Sequence, residues 1–281
     1  MKLFSRAKIN LFLDIVGQDD KDGYHFIDSL FQEVTLCDEI DIEVSTLDKD
    51  RIEFDKYPDL SQDSTIHRAI NLLRKRVSFK EYFHIRVKKN IPLCAGLGGG
   101  SSNAAAVLQF FADRYSLKRD LILEIAKETG SDVPFFLYGG LCRVGGKGEK
   151  IEKLNIKLKD IYFIIIYPHI NVKTSYAYSL VKDKRPSFNL PSLENISCLT
   201  VDFLRKIVYN KFEKFVLDGF PELKLVYSSL RSLLNCDVFF MSGSGSSFVA
   251  VYGEKTQREE DFLHLKQMTH CFVSKDEPYY R

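Results

Sequence analysis

The run Pro92-Leu93-Cys94-Ala95-Gly96-Leu97-Gly98-Gly99-Gly100-Ser101-Ser102 leads through Asn103 and Ala104-Ala105-Ala106 into Val107, Leu108, Phe110 and Phe111. No charged side chain stands between Asn90 and Ala112. A glycine loop running into a helix aims free backbone N–H groups at one point, and the helix dipole adds positive potential there. Glycine lets the backbone come close to a ligand, while Ser101 or Ser102 is suited to cap the helix and to offer a hydroxyl to an anion or a metal. This is the chemistry of a phosphate cradle, although tight turns use the same residues. Two other glycine motifs fit poorly. A Walker A loop needs lysine directly after its second glycine, where Ser101 follows Gly100, and the pair Gly146-Lys147 has Leu141 in place of the first glycine. The dinucleotide fingerprint, read from Gly96 and Gly98, meets Ser101 where its third glycine belongs.

Three further stretches carry reactive groups. Lys8, in Ala7-Lys8-Ile9-Asn10, reads by itself as an edge charge facing solvent. In Gly130-Ser131-Asp132-Val133-Pro134 the proline pushes Val133 toward extended geometry and is suited to begin a helix, which sets Asp132 at that helix's mouth. Ordinary helix-start chemistry accounts for the same pattern. Gly23-Tyr24-His25 is a turn that presents an aromatic ring beside an imidazole, an arrangement that serves packing as readily as recognition.

The elements that must position these groups follow from periodicity. Ala7, Ile9, Leu11 and Leu13 alternate as in a half-buried strand; Phe31 to Leu36 and Ile40, Ile42, Val44 predict two more strands, paired antiparallel. Ser64 to Val77 predicts a helix with Ile66, Ala69, Ile70, Leu73 and Val77 on one face. Strand Phe83 to Val87 leads into the glycine loop and its helix, and a helix over Arg119 to Thr129 stops at Gly130 as a left-handed cap. A hairpin at Gly145 to Gly148, a buried strand at Ile161 to Tyr167, and helices at Val201 to Leu217 and Pro221 to Leu234 come next. Strands Asp237 to Ser242 and Ser247 to Tyr252 flank a second glycine–serine loop. Asp183 to Pro191, with two prolines, reads as an inserted or mobile segment. Strand groups with helices beside them predict an α+β fold of two domains, 1–155 and 156–281.

Composition bounds the function classes. The chain has 281 residues, 45% apolar and 28% charged, with net charge +2. That balance points away from nucleic acid, and Arg74-Lys75-Arg76 and Lys88-Lys89 read as solvated faces. The apolar stretch after Lys2 is broken by Asn10 and Asp14, so neither a signal peptide nor a membrane span is expected. The six cysteines are scattered and no C-x-x-C pair occurs, so reduced core thiols in a cytoplasmic protein, with no metal site, are expected.

Taken together, Ala7-Lys8-Ile9-Asn10-Leu11, Asp22-Gly23-Tyr24-His25, the Pro92 to Ala106 loop, Asp132-Val133-Pro134-Phe135 and Ser242-Gly243-Ser244-Gly245-Ser246 resemble the GHMP kinases (galactokinase, homoserine kinase, mevalonate kinase and phosphomevalonate kinase). The form Gly96 to Ser102 and the turn Asp22 to His25 are most similar to the branch acting on a cytidine-linked methylerythritol. The resemblance implies an N-terminal ATP-binding domain like the second domain of ribosomal protein S5, a C-terminal α+β domain, and an active site in the cleft between them. It implies transfer from ATP, with Mg²⁺, to the 2-hydroxyl of 4-diphosphocytidyl-2-C-methyl-D-erythritol in the non-mevalonate isoprenoid pathway. The partner would be that small cytidine diphosphate-linked molecule, with no nucleic acid or membrane; oligomeric state stays open.

Residue by residue, the resemblance implies that Pro92 to Ser102 wraps the ATP phosphates, with Ser101 or Ser102 near Mg²⁺. Asp132 orients or deprotonates the acceptor hydroxyl, and Lys8 balances charge beside it. Tyr24 stacks on the cytosine, His25 hydrogen-bonds its polar edge, Asn10 meets the sugar-alcohol end, Thr174 contacts the substrate and Tyr178 forms a second aromatic wall. Gly243, Ser244 and Gly245 close beside the substrate phosphates. The chain departs from the family pattern at Arg6 and at Pro168-His169, where proline and Pro-Gly are common; Lys147 is either a diphosphate contact or an exposed turn lysine. A kinase of the family for another alcohol, homoserine or mevalonate, is the alternative, and a non-catalytic nucleotide-binding protein a more distant one.

Overall fold

A computed structural model describes residues 1–268 and 270–280. Two long strands, β1 (Lys2–Gln18) and β2 (His25–Val44), are followed by β3 (Arg51–Phe54), α1 (Thr65–Arg74) and β4 (Phe83–Lys88). Helices α2 (Gly99–Tyr115), α3 (Arg119–Thr129) and α4 (Val133–Tyr138) come next, then strands β5 (Leu141–Gly146), β6 (Lys150–Lys153), β7 (Lys157–Leu158) and β8 (Tyr162–Tyr167). The rest runs α5 (Thr174–Leu180), β9 (Cys198–Leu199), α6 (Val201–Ile207), β10 (Tyr209–Asn210), α7 (Lys211–Gly219), α8 (Pro221–Leu233), β11 (Val238–Met241), β12 (Phe248–Tyr252), α9 (Lys255–Met268) and β13 (Phe272–Asp276).

The chain forms two compact units, each assembled from three stretches: Met1–Ala7, Leu36–Leu93 and Gly98–Tyr138 in the first; Lys8–Thr35, Cys94–Leu97 and Gly139–Arg281 in the second. In the first unit the end of β2 pairs antiparallel with β4, Glu39 opposite Lys88 through Val44 opposite Phe83, and β3 lies parallel to β4. Alternation sends Ile40, Ile42, Ile85, Val87, Ile52 and Phe54 inward. The opposite face pairs its charges across strands, Lys88 with Glu39 at 2.9 Å and Arg86 with Glu43 at 2.7 Å. Phe79, Phe83, Phe110, Phe111 and Tyr115 interlock above the apolar face.

In the second unit β8 (sequence YFIIIY) is central, paired antiparallel with β12 on one side and β13 on the other, with β11 beyond β12. Ile164, Ile165 and Ile166 are fully buried, as a strand covered on both faces requires. Residues Ile27 to Gln32 of β2 pair with β5, and Phe12 and Leu13 of β1 pair with β10. Helices α5, α7 and α8 pack in sequence.

The fold class is the α+β expected, with several local corrections. The segments 31–36 and 40–44 belong to one strand, not an antiparallel pair; Asp38 between them starts no turn but is buried, accepting from Asn90 N and Ile91 N. The helix expected over 201–217 is broken at Val208, whose backbone is extended; Tyr209 and Asn210 pair with β1, and the Asn210 side chain caps α7 by accepting from Phe212 N. Gly130 has φ 174, extended rather than left-handed. Lys89 is not on a solvated face but 2% exposed, and Arg74 is pinned to Asp50 at 2.7 Å. Cys142 alone of the cysteines is buried; Cys94 is exposed and the others are half-buried, and none is in a disulfide.

Candidate active site

In the second unit the middle of the glycine loop lies against the second glycine–serine loop. Leu97 O accepts from Lys8 N at 3.0 Å and Ala95 O from Ser247 N at 3.3 Å. Gly96 sits at φ 74, and a Cβ there would come within 2.4 Å of Ser242 O, so only glycine fits this approach. Asn210 Nδ2 donates to the carbonyls of Met241 (2.6 Å) and Gly243 (2.8 Å), fixing the other loop from behind.

Asn10 and Lys8 line the same place. Asn10 N donates to Ser242 Oγ at 3.3 Å and Asn10 Nδ2 to Ser29 Oγ at 3.1 Å. Lys8 is 4% exposed, not an edge charge; its Nζ donates to Asn10 Oδ1 at 2.6 Å and lies 4.4 Å from the Phe31 ring centroid. A buried ammonium costs desolvation unless polar groups or an aromatic face receive it, and here both do. Thr174 Oγ1 meets Ser244 Oγ at 3.1 Å, so Thr174, Ser244, Gly243, Gly96 and Asn10 form one polar cluster.

The aromatic end belongs to the same unit. His25 tilts against Tyr178 with ring centroids 4.8 Å apart, and Tyr178 meets Phe212 edge-on at 4.8 Å. His25 Nε2 is buried with no hydrogen-bond partner, and desolvation followed by the nearby Lys184 ammonium holds the ring below the usual histidine range. Tyr24 is 59% exposed. Lys147 lies 5.5 Å from the Tyr24 ring centroid and pairs with Asp22 and, at 2.7 Å, with Asp19, which push its pKa up to about 12. It is therefore neither free at a turn nor open to a diphosphate without giving up a carboxylate.

In the first unit the glycine loop ends in α2. The cap is Gly98 in the left-handed region (φ 71, ψ 16), not a serine; Ser102 N donates to Gly98 O at 2.9 Å, which places both serines inside the first turn. Glycine takes the cap because the chain must enter left-handed there, which leaves the serine hydroxyls for other partners. Ser102 Oγ is buried without a partner. Thr65 Oγ1 donates to Gly100 O at 2.6 Å. Beneath the turn, Asp38 Oδ1 accepts from Asn90 N (2.7 Å) and Ile91 N (2.8 Å), and Oδ2 accepts from Lys89 Nζ and Asn103 Nδ2. Asp132, half-buried, directly precedes α4. Among the described residues, no cluster of histidine, cysteine and acidic side chains could hold a metal by itself.

The family profile of the GHMP kinases N terminal domain matches residues 64–140. The chain is 34% identical over 269 residues to the 4-diphosphocytidyl-2-C-methyl-D-erythritol kinase of Pseudothermotoga lettingae, covering 92% of this chain and 95% of that one. The chain belongs to the GHMP kinase family. To the kinase of the same name from Thermosipho melanesiensis it is 37% identical over 263 residues, covering 92% and 91%. A crystal structure of a 4-(cytidine 5'-diphospho)-2C-methyl-D-erythritol kinase superposes with TM-score 0.81 at 28% identity, covering 99% of this chain and all of that one (100%). Homoserine kinase from Cytophaga hutchinsonii shares the fold at TM-score 0.72 and 18% identity, covering 99% and 94%.

In this GHMP kinase several supporting residues carry no motif. Asn210 holds the second glycine–serine loop, and Asp38 and Lys89, together with Asn103 of the first loop's own motif, form the buried polar group beneath α2. Only Asn103 gives a local signal, a polar residue directly before three alanines; Lys89, Asp38 and Asn210 each have a charged or polar neighbour and do not stand out.

Proposed function

We propose that this chain transfers the γ-phosphoryl group of ATP to the 2-hydroxyl of 4-diphosphocytidyl-2-C-methyl-D-erythritol. The match over 92% of the chain to a kinase of that name carries the reading, and the site residues support it.

Phosphoryl transfer needs positioning and charge neutralisation more than covalent help. The Ala95 to Ser102 loop would wrap the ATP phosphates, where its backbone N–H groups not engaged within α2 and the unpartnered Ser102 Oγ fit such a guest. Ser101 or Ser102 would reach a Mg²⁺ ion, which when bound neutralises phosphate charge. Asp132 would align the acceptor hydroxyl and take its proton as the oxygen–phosphorus bond forms and ADP departs with the bridging oxygen. Lys8 would offset negative charge at the acceptor, and Asn10 and Thr174 would hold the sugar-alcohol end. Tyr24 and Tyr178 would flank the cytosine while His25 Nε2, lacking any protein partner, bonds its polar edge. Gly243, Ser244 and Gly245 would lie beside the substrate diphosphate.

The test is phosphate transfer from ATP and Mg²⁺ to 4-diphosphocytidyl-2-C-methyl-D-erythritol, run beside homoserine, mevalonate and galactose. Transfer to the cytidine compound alone is expected. Transfer to another of these alcohols overturns the substrate assignment, and none to any overturns the activity.

A further inference from the structure

The segment 183–188 has no regular secondary structure, yet it is fastened to β1 by a buried carboxylate. Asp14 is fully buried; its Oδ2 accepts from Ser187 N (2.6 Å) and Phe188 N (3.1 Å), and its Oδ1 faces Lys211 Nζ at 3.4 Å. Lys211 Nζ also donates to the carbonyls of Ile15 (3.3 Å) and Arg185. The Phe188 ring stacks on Tyr209 with centroids 5.7 Å apart and tilts against Phe12 at 5.8 Å. These ties fall within Asp183 to Pro191, the stretch read from its prolines as an inserted or mobile segment.

What the segment holds is Lys184. Its half-buried ammonium donates to Gln18 Oε1, and Gln18 Nε2 donates to Gly23 O at 2.7 Å. Gly23, left-handed at φ 73, directly precedes Tyr24 and His25, and Asp19 N closes the turn on Tyr24 O at 2.7 Å. Glutamine suits this place because its amide accepts from an ammonium at one end and donates to a carbonyl at the other. A carboxylate would keep the first bond and lose the second.

We propose that residues 183–188 form a strap that holds the Gly23–Tyr24–His25 turn in shape through Lys184 and Gln18, making these two side chains positioning residues for the cytidine end of the substrate. This rests on the reading that Tyr24 and His25 receive that group. A turn ordered in advance does not have to be ordered by the ligand, so the strap acts on binding and leaves the transfer step alone.

Lys184→Met, Gln18→Glu and Lys184→Arg test it, with two readouts. Lys184→Met and Gln18→Glu should each raise KM for the cytidine substrate about tenfold, with kcat and KM for ATP within about twofold of wild type. Both should also speed amide exchange across residues 19–25 about tenfold, while Lys184→Arg, which keeps a donor, restores both measures. The exchange readout needs no turnover, so it judges the strap even if the wild-type chain proves to act on a different alcohol. Unchanged exchange in both variants overturns the strap. Faster exchange with an unchanged KM overturns its role in recognition, and an equal rise in KM for ATP reduces it to general stability.

Discussion

Lys8 and Asn10 stand on an apolar strand, and both prove buried and joined to each other, which is why their types mattered more than the pattern around them. Asp132→Asn is expected to lower kcat by roughly 10²–10⁴-fold, the range for a lost acid–base group, with KM for ATP little changed; steady-state kinetics with the purified variant check this. Tyr24→Ala should weaken the cytidine substrate by about 1–3 kcal/mol, the worth of one base stacked on a ring, which competition binding with a cytidine diphosphate would read. For His25 the folded ring titrates below its ordinary value near 6.5 because it is desolvated and beside Lys184. The neutral ring therefore contributes stability above the unfolded value, and that contribution is lost as pH falls through the lower folded value. Denaturant unfolding at pH 7.5 and 5.5 should show a larger loss in wild type than in His25→Gln. The residues that touch ligand in this reading were legible through the family resemblance of their motifs; taken locally, Lys8 reads as an edge charge and Tyr24-His25 as packing. Gln18, Lys184 and Asn210 were not, since their partners are carbonyls and amides reached only after folding; Lys184 and Gln18 lie 166 positions apart.

At the scale of elements, the two glycine loops explain each other. Gly96→Ala must place a methyl group against Ser242 O in a backbone region costly to alanine by about 1–2 kcal/mol before the clash is counted. Lower thermal stability and a KM for ATP raised at least about tenfold are expected; a variant equal to wild type in both would show that the loops do not need this approach. Under α2, Lys89→Met leaves Asp38 buried without its ammonium, a loss of about 3–5 kcal/mol for a broken buried pair, measurable by denaturant unfolding. Helices α1 and α3 were legible from their apolar stripes. Helix α9 was not, because Arg258 and Asp261 are buried on it beside Phe262 and Leu265, so its inward face is partly charged. Arg258 is received by Asp276 O at 3.3 Å, on β13, as well as by its neighbour Glu259 at 2.8 Å, and Asp261 accepts from Tyr252 of β12, so the inward charges are met from other elements.

Across the whole molecule, the α+β class and family could be read from the motifs, while the way the chain shares its stretches between two compact units could not, because it depends on long-range pairing. Each unit draws on three separate stretches, so one cut in the chain leaves at least one of them incomplete. Residues 1–155 expressed alone would hold Lys8–Thr35 without β8, β12 and β13 of the same unit. That fragment holds the whole first unit but only part of the second, so it is expected to melt at a lower temperature than the full chain; thermal unfolding followed by circular dichroism checks this, and equal midpoints would refute it. The charge-free run from Ile91 to Phe111 has a consequence of another kind. In the proposed cradle the donors are main-chain N–H groups, which every residue except proline supplies identically. An inhibitor that took its hydrogen bonds from those groups would meet few escape mutations. A changed side chain leaves the donors in place, and a change at Gly96 damages the enzyme along with the drug site.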